Sequence, residues 1–488
     1  MTATDTHRAI EAVWRIEAAR LIAGLAGLVR DVGLAEELAQ DALVAALEQW
    51  PESGVPRNPG AWLMTVSKRR AIDLIRRNER LQRNLVELGH RLDLEEELPE
   101  VDEIEDDLLR LVFTACHPAL SVEARVAMTL RVLGGLTTDE IARAFLVPEA
   151  TVAQRIVRAK RTLADRKVPF EVPQGAELAG RLSSVLGVIY LIFNEGYSAT
   201  AGDDWMRPGL CADAQRLGRV LAGLMPAEPE VHGLVALMEI QASRAAARVG
   251  PSGEPILLLE QNRAKWDRLL INRGLAALDR AEELSRAEGA APVEAVAGSG
   301  GDAERGRGRG AGGGGEVGAG LGPYTLQAAI AACHARATAP EETDWVRIAS
   351  LYESLARLSR SPVVELNRAV ALSMAYGPAV GLGLLDQIVD EPSLKDYHLL
   401  PSVRGDLLVK LGRTAEARAE FERAAGMTRN ARERALLEER AAGCGTGVEE
   451  RAAGCGTGVE ERAGTGVEER AGTGASEGAT RTSPAGTD

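Results

Sequence analysis

Aromatic side chains are scarce in this chain: Phe, Trp and Tyr make up only 3% of its 488 residues, although hydrophobic residues make up 45%. Long alternations of β-branched residues, which are typical of strands, are also missing. Ala, Leu, Arg and Glu dominate instead, and all four favour helices. The composition therefore predicts an all-α fold. The chain is too long for one ordinary core, so we expect two or three domains.

Cysteines and long apolar runs are scarce as well. The five cysteines are an odd number without CxxC spacing, which argues against a disulfide framework and a thiolate zinc site and is typical of a reducing cytoplasm. No apolar run approaches the roughly 20 residues of a membrane span. The N-terminus lacks the basic start and apolar stretch of a secretory signal. We therefore expect a cytoplasmic protein without a membrane partner.

Positive charge is concentrated in one short segment, although the formal net charge of the chain is −14. The stretch "NPGAWLMTVSKRRAIDLIRRNER", residues 58–80, carries six basic residues: Lys68, Arg69, Arg70, Arg76, Arg77 and Arg80. At about 100° per residue the arginines share one face of a helix, and within that helix only Asp73 and Glu79 are available to pair with them one turn away. The face is either an ordinary solvated surface or a site for phosphate groups, which suit guanidinium. The unbalanced charge favours nucleic acid.

A second segment predicts three helices separated by tight turns: "RVAMTLRVLGGLTTDEIARAFLVPEATVAQRIVRAKRTLADRK". Gly134 and Gly135 end the first helix, and Thr137 or Thr138 caps the second with support from Glu140. A short helix, a tight turn and a basic second helix form the helix-turn-helix pattern, whose second helix enters the major groove of DNA. The alternative is an ordinary pair of packed helices.

The last of these helices has one apolar and one polar face. Val152, Ile156 and Leu163 point inward. The outward candidates for contacts with DNA are Thr151, Gln154, Arg155, Arg158, Lys160 and Arg161. Among these side chains Gln and Arg suit base edges, and Arg and Lys suit phosphates.

Charge, proline and glycine divide the chain into five parts. We predict a helical domain at 8–82, an acidic flexible linker at 83–107, a helix-turn-helix domain at 108–168, a helical domain at 175–442 with a disordered insert at 289–322, and a low-complexity repeat tail at 443–488. Within the first domain, Gly33 and Pro51 predict the ends of the first two helices.

Taken together, these segments resemble a known family. "EELAQDALVAALEQW", "NPGAWLMTVSKRRAIDLIRR" and "LTTDEIARAFLVPEATVAQRIVRAKRTL" are similar to regions 2 and 4 of bacterial sigma factors of the extracytoplasmic-function type, over residues 10–168. The order, the spacing and the acidic linker all match. The chain departs from the usual pattern at "AFLVPEAT", where Phe145 and Leu146 occupy a turn that often carries glycine.

The resemblance implies the partners and the roles of these helices. The helix "AEELAQDAL" would dock on the clamp of the β′ subunit of core RNA polymerase through Glu37, Gln40 and Asp41; the alternative for these three is a plain solvent face. The basic helix would bind and open the minus-ten element, and the helix-turn-helix would read the minus-thirty-five element. Trp62 could stack on a base, but within "AWLM" it is favoured as a core residue.

The C-terminal half resembles the tetratricopeptide-like (TPR-like) extension of one subgroup of these sigma factors. "DLLVKLGRTAEARAEFERA" fits the packing positions of that repeat, and an earlier helix pair turns at 377–378, about 35 residues upstream. Such hairpins stack into an α-solenoid whose concave side binds a protein partner. Two motifs, "FNEGYSA" and "EQNRAKWDR", are interpreted as polar groups satisfied between repeats. No pattern of catalytic or metal-binding residues is present, so neither an enzyme nor a cofactor is predicted.

The sequence as a whole predicts a sigma factor controlled or assisted by its own C-terminal domain. The acidic linker and the C-terminal half could cover the DNA-binding surfaces in the free protein. Two alternatives remain: a helix-turn-helix regulator acting without polymerase, and a repeat scaffold whose N-terminal helices only pack or dimerise. Neither alternative needs the helix "EELAQDAL" beside the basic helix.

Overall fold

A computed structural model describes residues 3–83, 101–199, 205–251, 253–290 and 320–444. Over these ranges the chain forms α-helices and no strand, which confirms the predicted all-α class. The greater part of the predicted linker, insert and tail (residues 84–100, 291–319 and 445–488) lies outside the described residues, as does the side chain of Arg80.

The chain divides into two compact units, and most of the first nine helices belong to the first unit, which comprises residues 1–195 and 212–224. These helices are α1 Ala3–Val29, α2 Val32–Ser53, α3 Pro59–Arg83, α4 Val101–Ala115, α5 Val122–Val132, α6 Thr138–Phe145, α7 Glu149–Asp165, α8 Ala176–Tyr197 and α9 Pro208–Leu224.

The first three helices pack on one another, but two of their boundaries differ from the predicted ones. α1 ends before Gly33, because Asp31 caps α2 by accepting a hydrogen bond from the Leu34 amide at 2.9 Å, while Arg30 takes a left-handed conformation with φ of 56°. α2 continues through Pro51 for two residues and is capped by Gly54, with φ of 83°. The Asp31 cap therefore decides the boundary between α1 and α2 in place of Gly33, and Gly54 rather than Pro51 ends α2.

α4 begins at Val101, inside the range 83–107 that the sequence predicts as linker. It packs on α1, where a Cβ atom at Gly27 would lie 2.5 Å from a carboxylate oxygen of Asp107. Leu111 and Phe113 of α4 are fully buried. The apolar residues at helical spacing thus extend the helix back into the acidic segment.

α5, α6 and α7 form the predicted helix-turn-helix. Thr137 and Glu140 make the reciprocal capping box: the Glu140 amide donates to Thr137 Oγ1 at 3.1 Å, and the Thr137 amide donates to Glu140 Oε2 at 2.8 Å. At the turn where glycine is usual, Leu146 takes a left-handed conformation, with φ of 49° and ψ of 42°. Pro148 is the N-cap of α7.

The first unit continues past the predicted boundary at residue 168. Arg181 of α8 donates to the Phe113 carbonyl at 3.0 Å, and Ser184 donates to the Cys116 carbonyl at 2.8 Å. On α9, Arg216 donates to the Gly134 carbonyl at 2.9 Å. Two helices from the sequence's predicted C-terminal domain therefore hold the ends of α4 and α5.

The second unit, residues 196–211 and 225–474, is built from consecutive helices that pack on their neighbours. These are α10 Pro229–Ala242, α11 Arg268–Ala290, α12 Pro323–Arg336, α13 Trp345–Ser359, α14 Pro362–Tyr376, α15 Pro378–Ile388, α16 Leu399–Lys410, α17 Thr414–Met427 and α18 Ala431–Gly443. The turns after α14 and α16 both place a glycine at positive φ, Gly377 at 102° and Gly412 at 72°. Between α16 and α17, a Cβ at Gly405 would lie 2.7 Å from the ring of Phe421, which is 1% exposed.

Among the described helices, α8 alone is long and apolar enough to cross a membrane by length and composition. Half of its most apolar window is buried inside the protein, and core helices pass the same test of length and composition. One such helix is weak support for a span.

Candidate nucleic-acid interface

The basic face of α3 is directed outward. Arg69, Arg76 and Arg77 are exposed, whereas Ala71 on the opposite face is fully buried and Lys68 is half-buried. This division follows from the amphipathic pattern: the apolar face packs on α1 and α2 and leaves the guanidinium groups in solvent. An array of exposed guanidinium groups can bind the phosphates of a nucleic acid backbone.

Arg70 on α3 is paired with Asp41 on α2. Its Nη1 lies 3.1 Å from Asp41 Oδ2, and both side chains are largely exposed. An exposed pair of this kind contributes at most about 1 kcal/mol, so either partner can exchange it for another ligand. The pair links one residue predicted to bind DNA with one predicted to bind polymerase.

Trp62 lies against the core of the first three helices. Its ring meets the fully buried ring of Trp50 edge-on, with centroids 5.3 Å apart and planes at 67°. Trp62 itself is half-buried. The contact with Trp50 holds the start of α3 on the end of α2.

α7 presents the outward face that the sequence predicts. Val152, Ile156 and Leu163 are buried. The outward candidates divide by exposure into Gln154, Arg158 and Arg161, which are exposed, and Thr151, Arg155 and Lys160, which are half-buried. Arg161 Nε lies 3.4 Å from Asp165 Oδ2 one turn later, a weak exposed pair.

Lys160 forms an ion pair with Glu36, a residue that was not among the predicted site residues. Glu36 on α2 is 3% exposed, and its carboxylate pairs with Lys160 Nζ of α7 and, at 2.8 Å, with Arg131 Nε of α5. Gln40, one turn along α2, donates to the same carboxylate. We call Glu36, Arg131 and Lys160 the Glu36 cluster; it joins the helix predicted to bind polymerase to the helix predicted to read DNA.

The three predicted polymerase contacts are therefore not equivalent. Glu37 and Asp41 are exposed on α2, whereas Gln40 is half-buried and hydrogen-bonded to Glu36. The sequence could not separate Glu36 from Glu37, because the partners that bury Glu36 lie about 95 residues or more away along the chain.

A second ionic contact joins α1 to α6. Arg15 Nη2 lies 2.5 Å from Glu140 Oε1. Burial would raise the pKa of Glu140, but the hydrogen bonds from Thr137 and the charge of Arg15 outweigh it and lower the pKa. Nearby on α9, burial raises the pKa of Asp213, opposed by Arg216 and Arg15. Arg15 thus pairs with Glu140 of α6, and its charge also acts on the pKa of Asp213 of α9.

No group of three or more His, Cys, Asp or Glu side chains is placed to hold a metal ion in the part of the chain that the structure describes. The charged features of the first unit are the outward basic faces of α3 and α7 and the Glu36 cluster, which joins α2 to α5 and α7.

Comparison with known proteins assigns three segments. Sigma-70 region 2 matches residues 16–81, sigma-70 region 4 matches residues 110–163, and a family of unknown function (DUF6596) matches residues 181–282. An uncharacterized protein of Rhizobium meliloti (strain 1021) is 42% identical over 421 residues, covering 84% of this chain and 89% of that protein. No solved structure matches the chain.

Proposed function

We propose that the chain binds core RNA polymerase and directs it to promoter DNA. The premise is that the chain belongs to one family with the Rhizobium meliloti protein. Its region 2 and region 4 domains make it an RNA polymerase sigma factor. One observation carries the proposal: α3 and α7, the basic helices of the two matched domains, both present outward arginines. Such domains indicate an initiation factor rather than an enzyme. We place the protein in the cytoplasm, where polymerase and promoter are.

We assign the three contacts to separate helices. α2 binds the β′ clamp through Glu37 and Asp41, whose exposed carboxylates suit a basic partner, with Gln40 beside them. α3 binds and opens the minus-ten element through its exposed arginines, and α7 reads the minus-thirty-five element with Gln154 and Arg155. The match to regions 2 and 4 supports our assignment of the protein to the extracytoplasmic-function type.

The Glu36 cluster requires these helices to separate when both elements are bound. In the structure Glu36 of region 2 contacts Arg131 and Lys160 of region 4. The two promoter elements lie about 25 base pairs apart, which is roughly 85 Å of B-form DNA. The packed arrangement is therefore the form of the free protein, and binding to polymerase and promoter opens it.

The second unit is a TPR-like domain that binds a protein partner and controls the sigma domains. The turns at Gly377 and Gly412 recur after 35 residues, and Ala417, Phe421 and Ala424 are buried at the positions expected for such a repeat. Repeats of this kind bury their faces on their neighbours and leave a concave surface for a partner.

The competing functions, a helix-turn-helix regulator or a repeat scaffold, differ from a sigma factor in needing no contact with polymerase. The test is binding of the full chain to purified core polymerase, measured by fluorescence anisotropy. The double variant Glu37→Lys/Asp41→Lys should weaken this binding at least tenfold, since each reversal replaces attraction by repulsion.

The matched control is Glu48→Lys, an exposed glutamate near the other end of α2. It changes the charge of the same helix away from the proposed contact and should leave the affinity within about twofold. No binding to core polymerase, or equal losses in the control and the double variant, would favour the alternatives.

A further inference from the structure

The two C-terminal motifs that the proposed function does not use contribute to one buried cluster in the second unit. Arg248 Cζ lies 3.6 Å from the centre of the Tyr197 ring, and Arg244 Cζ lies 5.9 Å from both Tyr197 and Trp266. Arg263 Cζ lies 5.0 Å from Trp266. Guanidinium groups and aromatic rings thus alternate, and all three arginines are at most 6% exposed.

The backbone between α10 and α11 builds this cluster. The Asp267 amide donates to the Ser243 carbonyl at 2.8 Å, which brings the residues that follow Ser243 next to those that precede Asp267. The Asp267 carboxylate accepts from the Leu269 amide at 2.8 Å at the start of α11. This neighbouring carboxylate is therefore committed to the helix start, where it caps the N-terminus.

Three buried N–H groups around Trp266 lack an acceptor. Arg244 Nε, Arg263 Nε and Trp266 Nε1 are buried, and no acceptor of the described residues lies within hydrogen-bond distance of them. The other nitrogens of Arg263 do find acceptors, including the carbonyls of His334 at 2.8 Å and Ala337 at 2.7 Å. Buried N–H groups without an acceptor are rare and costly in native proteins.

Arg244 stands out among the three arginines. Its guanidinium contacts two rings but makes no hydrogen bond or ion pair within the part of the chain that is described. An aromatic face attracts a cation but does not neutralise it. Arg244 and Arg263 both contact the Trp266 ring, and burial and the neighbouring charge of Arg244 lower the pKa of Arg263.

We propose that Arg244, Arg263 and Trp266 bind a small ligand through an oxyanion, either a phosphate or a carboxylate. An oxyanion supplies acceptors for the three unpaired N–H groups and a negative charge for the Arg244 guanidinium, which makes no ion pair among the described residues. Guanidinium forks match the paired oxygens of both groups. The site lies within the segment that matches the family of unknown function, and it does not depend on the roles assigned to the sigma domains.

The test is calorimetric titration of the full chain with sodium phosphate and, separately, with sodium acetate, at constant ionic strength held with chloride. We expect saturable binding of one probe, and that probe identifies the ligand as a phosphate or a carboxylate. Arg244→Leu should weaken this binding tenfold to about a hundredfold, since charge-assisted hydrogen bonds are lost. Trp266→Phe removes a single donor and should weaken it about threefold to tenfold.

The matched control is Arg280→Leu, a half-exposed arginine of α11, which should bind as the unmodified chain does. A second readout is thermal unfolding in chloride buffer. Arg244→Leu should raise the midpoint there, because it removes an uncompensated buried charge, whereas a structural role for the ring contacts predicts a lower midpoint.

Three results would overturn the proposal. They are the absence of saturable binding of either probe up to about 10 mM, equal affinities of the unmodified chain and Arg244→Leu, and a lower midpoint for Arg244→Leu in chloride buffer.

Discussion

Replacing Glu36 by glutamine should weaken the packing of region 4 on region 2. The substitution keeps the size of the side chain and removes the charge that faces Arg131 and Lys160. Removing one partner of a buried ion pair costs about 3–5 kcal/mol, because the remaining charges stay uncompensated. Arg131 and Lys160 are 19% and 20% exposed and regain part of their hydration, so we expect about 2–3 kcal/mol.

This loss shifts the equilibrium between the packed and the separated arrangement. At about 1.4 kcal/mol for each factor of ten, the ratio of packed to separated molecules should fall about 30- to 140-fold. Only the separated form can reach both promoter elements, so the free variant should bind a two-element promoter duplex more tightly by up to the same factor. Fluorescence anisotropy without polymerase measures this affinity and leaves the contact of α2 with polymerase out of the comparison.

The matched control is Glu37→Gln, which makes the same change of charge at the next residue of α2. Glu37 is exposed, so this variant should bind the duplex as the unmodified chain does. In Glu36→Gln, by contrast, Lys160 is free to contact a phosphate, which should steepen the salt dependence of binding by about one unit of slope. Equal affinities for the two variants, with both folded by circular dichroism, would refute the role of the Glu36 cluster.

Two further predictions concern the helix-turn-helix. Arg158→Ala should weaken binding to all sequences and reduce the salt slope by about one, whereas Gln154→Ala should mainly reduce discrimination at one base pair, by about 1–3 kcal/mol; the opposite pattern in competition titrations would contradict the assignment. Leu146→Gly should raise the free energy of unfolding by about 0.5–1 kcal/mol, because Leu146 is 57% exposed and strained at positive φ. Leu146→Ala keeps the Cβ atom and should give no gain in denaturant titrations, so equal gains would contradict the strain.

Capping residues and helical periodicity predicted much of the local structure of the first unit. The capping box of Thr137 and Glu140 and the inward face of Val152 and Ile156 depend on residues within two turns, and the structure has both as predicted. The exposed arginines of α3 follow from the same periodicity. Gly33 did not predict the end of α1 correctly, because the Asp31 side chain caps α2 through the Leu34 amide, three residues later.

Long-range packing explains the structural features that the sequence did not predict. Glu36 and Glu37 are adjacent and chemically identical, but Glu36 is buried against Arg131 and Lys160, which lie 95 residues or more away along the chain, whereas Glu37 is exposed. Likewise, 60 residues separate "FNEGYSA" from "EQNRAKWDR", and their contribution to one cluster depends on the path of the chain between α10 and α11. Periodicity contains no information on such pairs.

The most direct test of the account is run-off transcription with purified core polymerase on genomic promoter templates, with and without the chain. We predict discrete transcripts that appear only with the chain and that are lost in the double variant Glu37→Lys/Asp41→Lys. Core polymerase that yields no promoter-specific transcript with the folded chain, although an established sigma factor activates the same preparation, would contradict the assignment as a sigma factor.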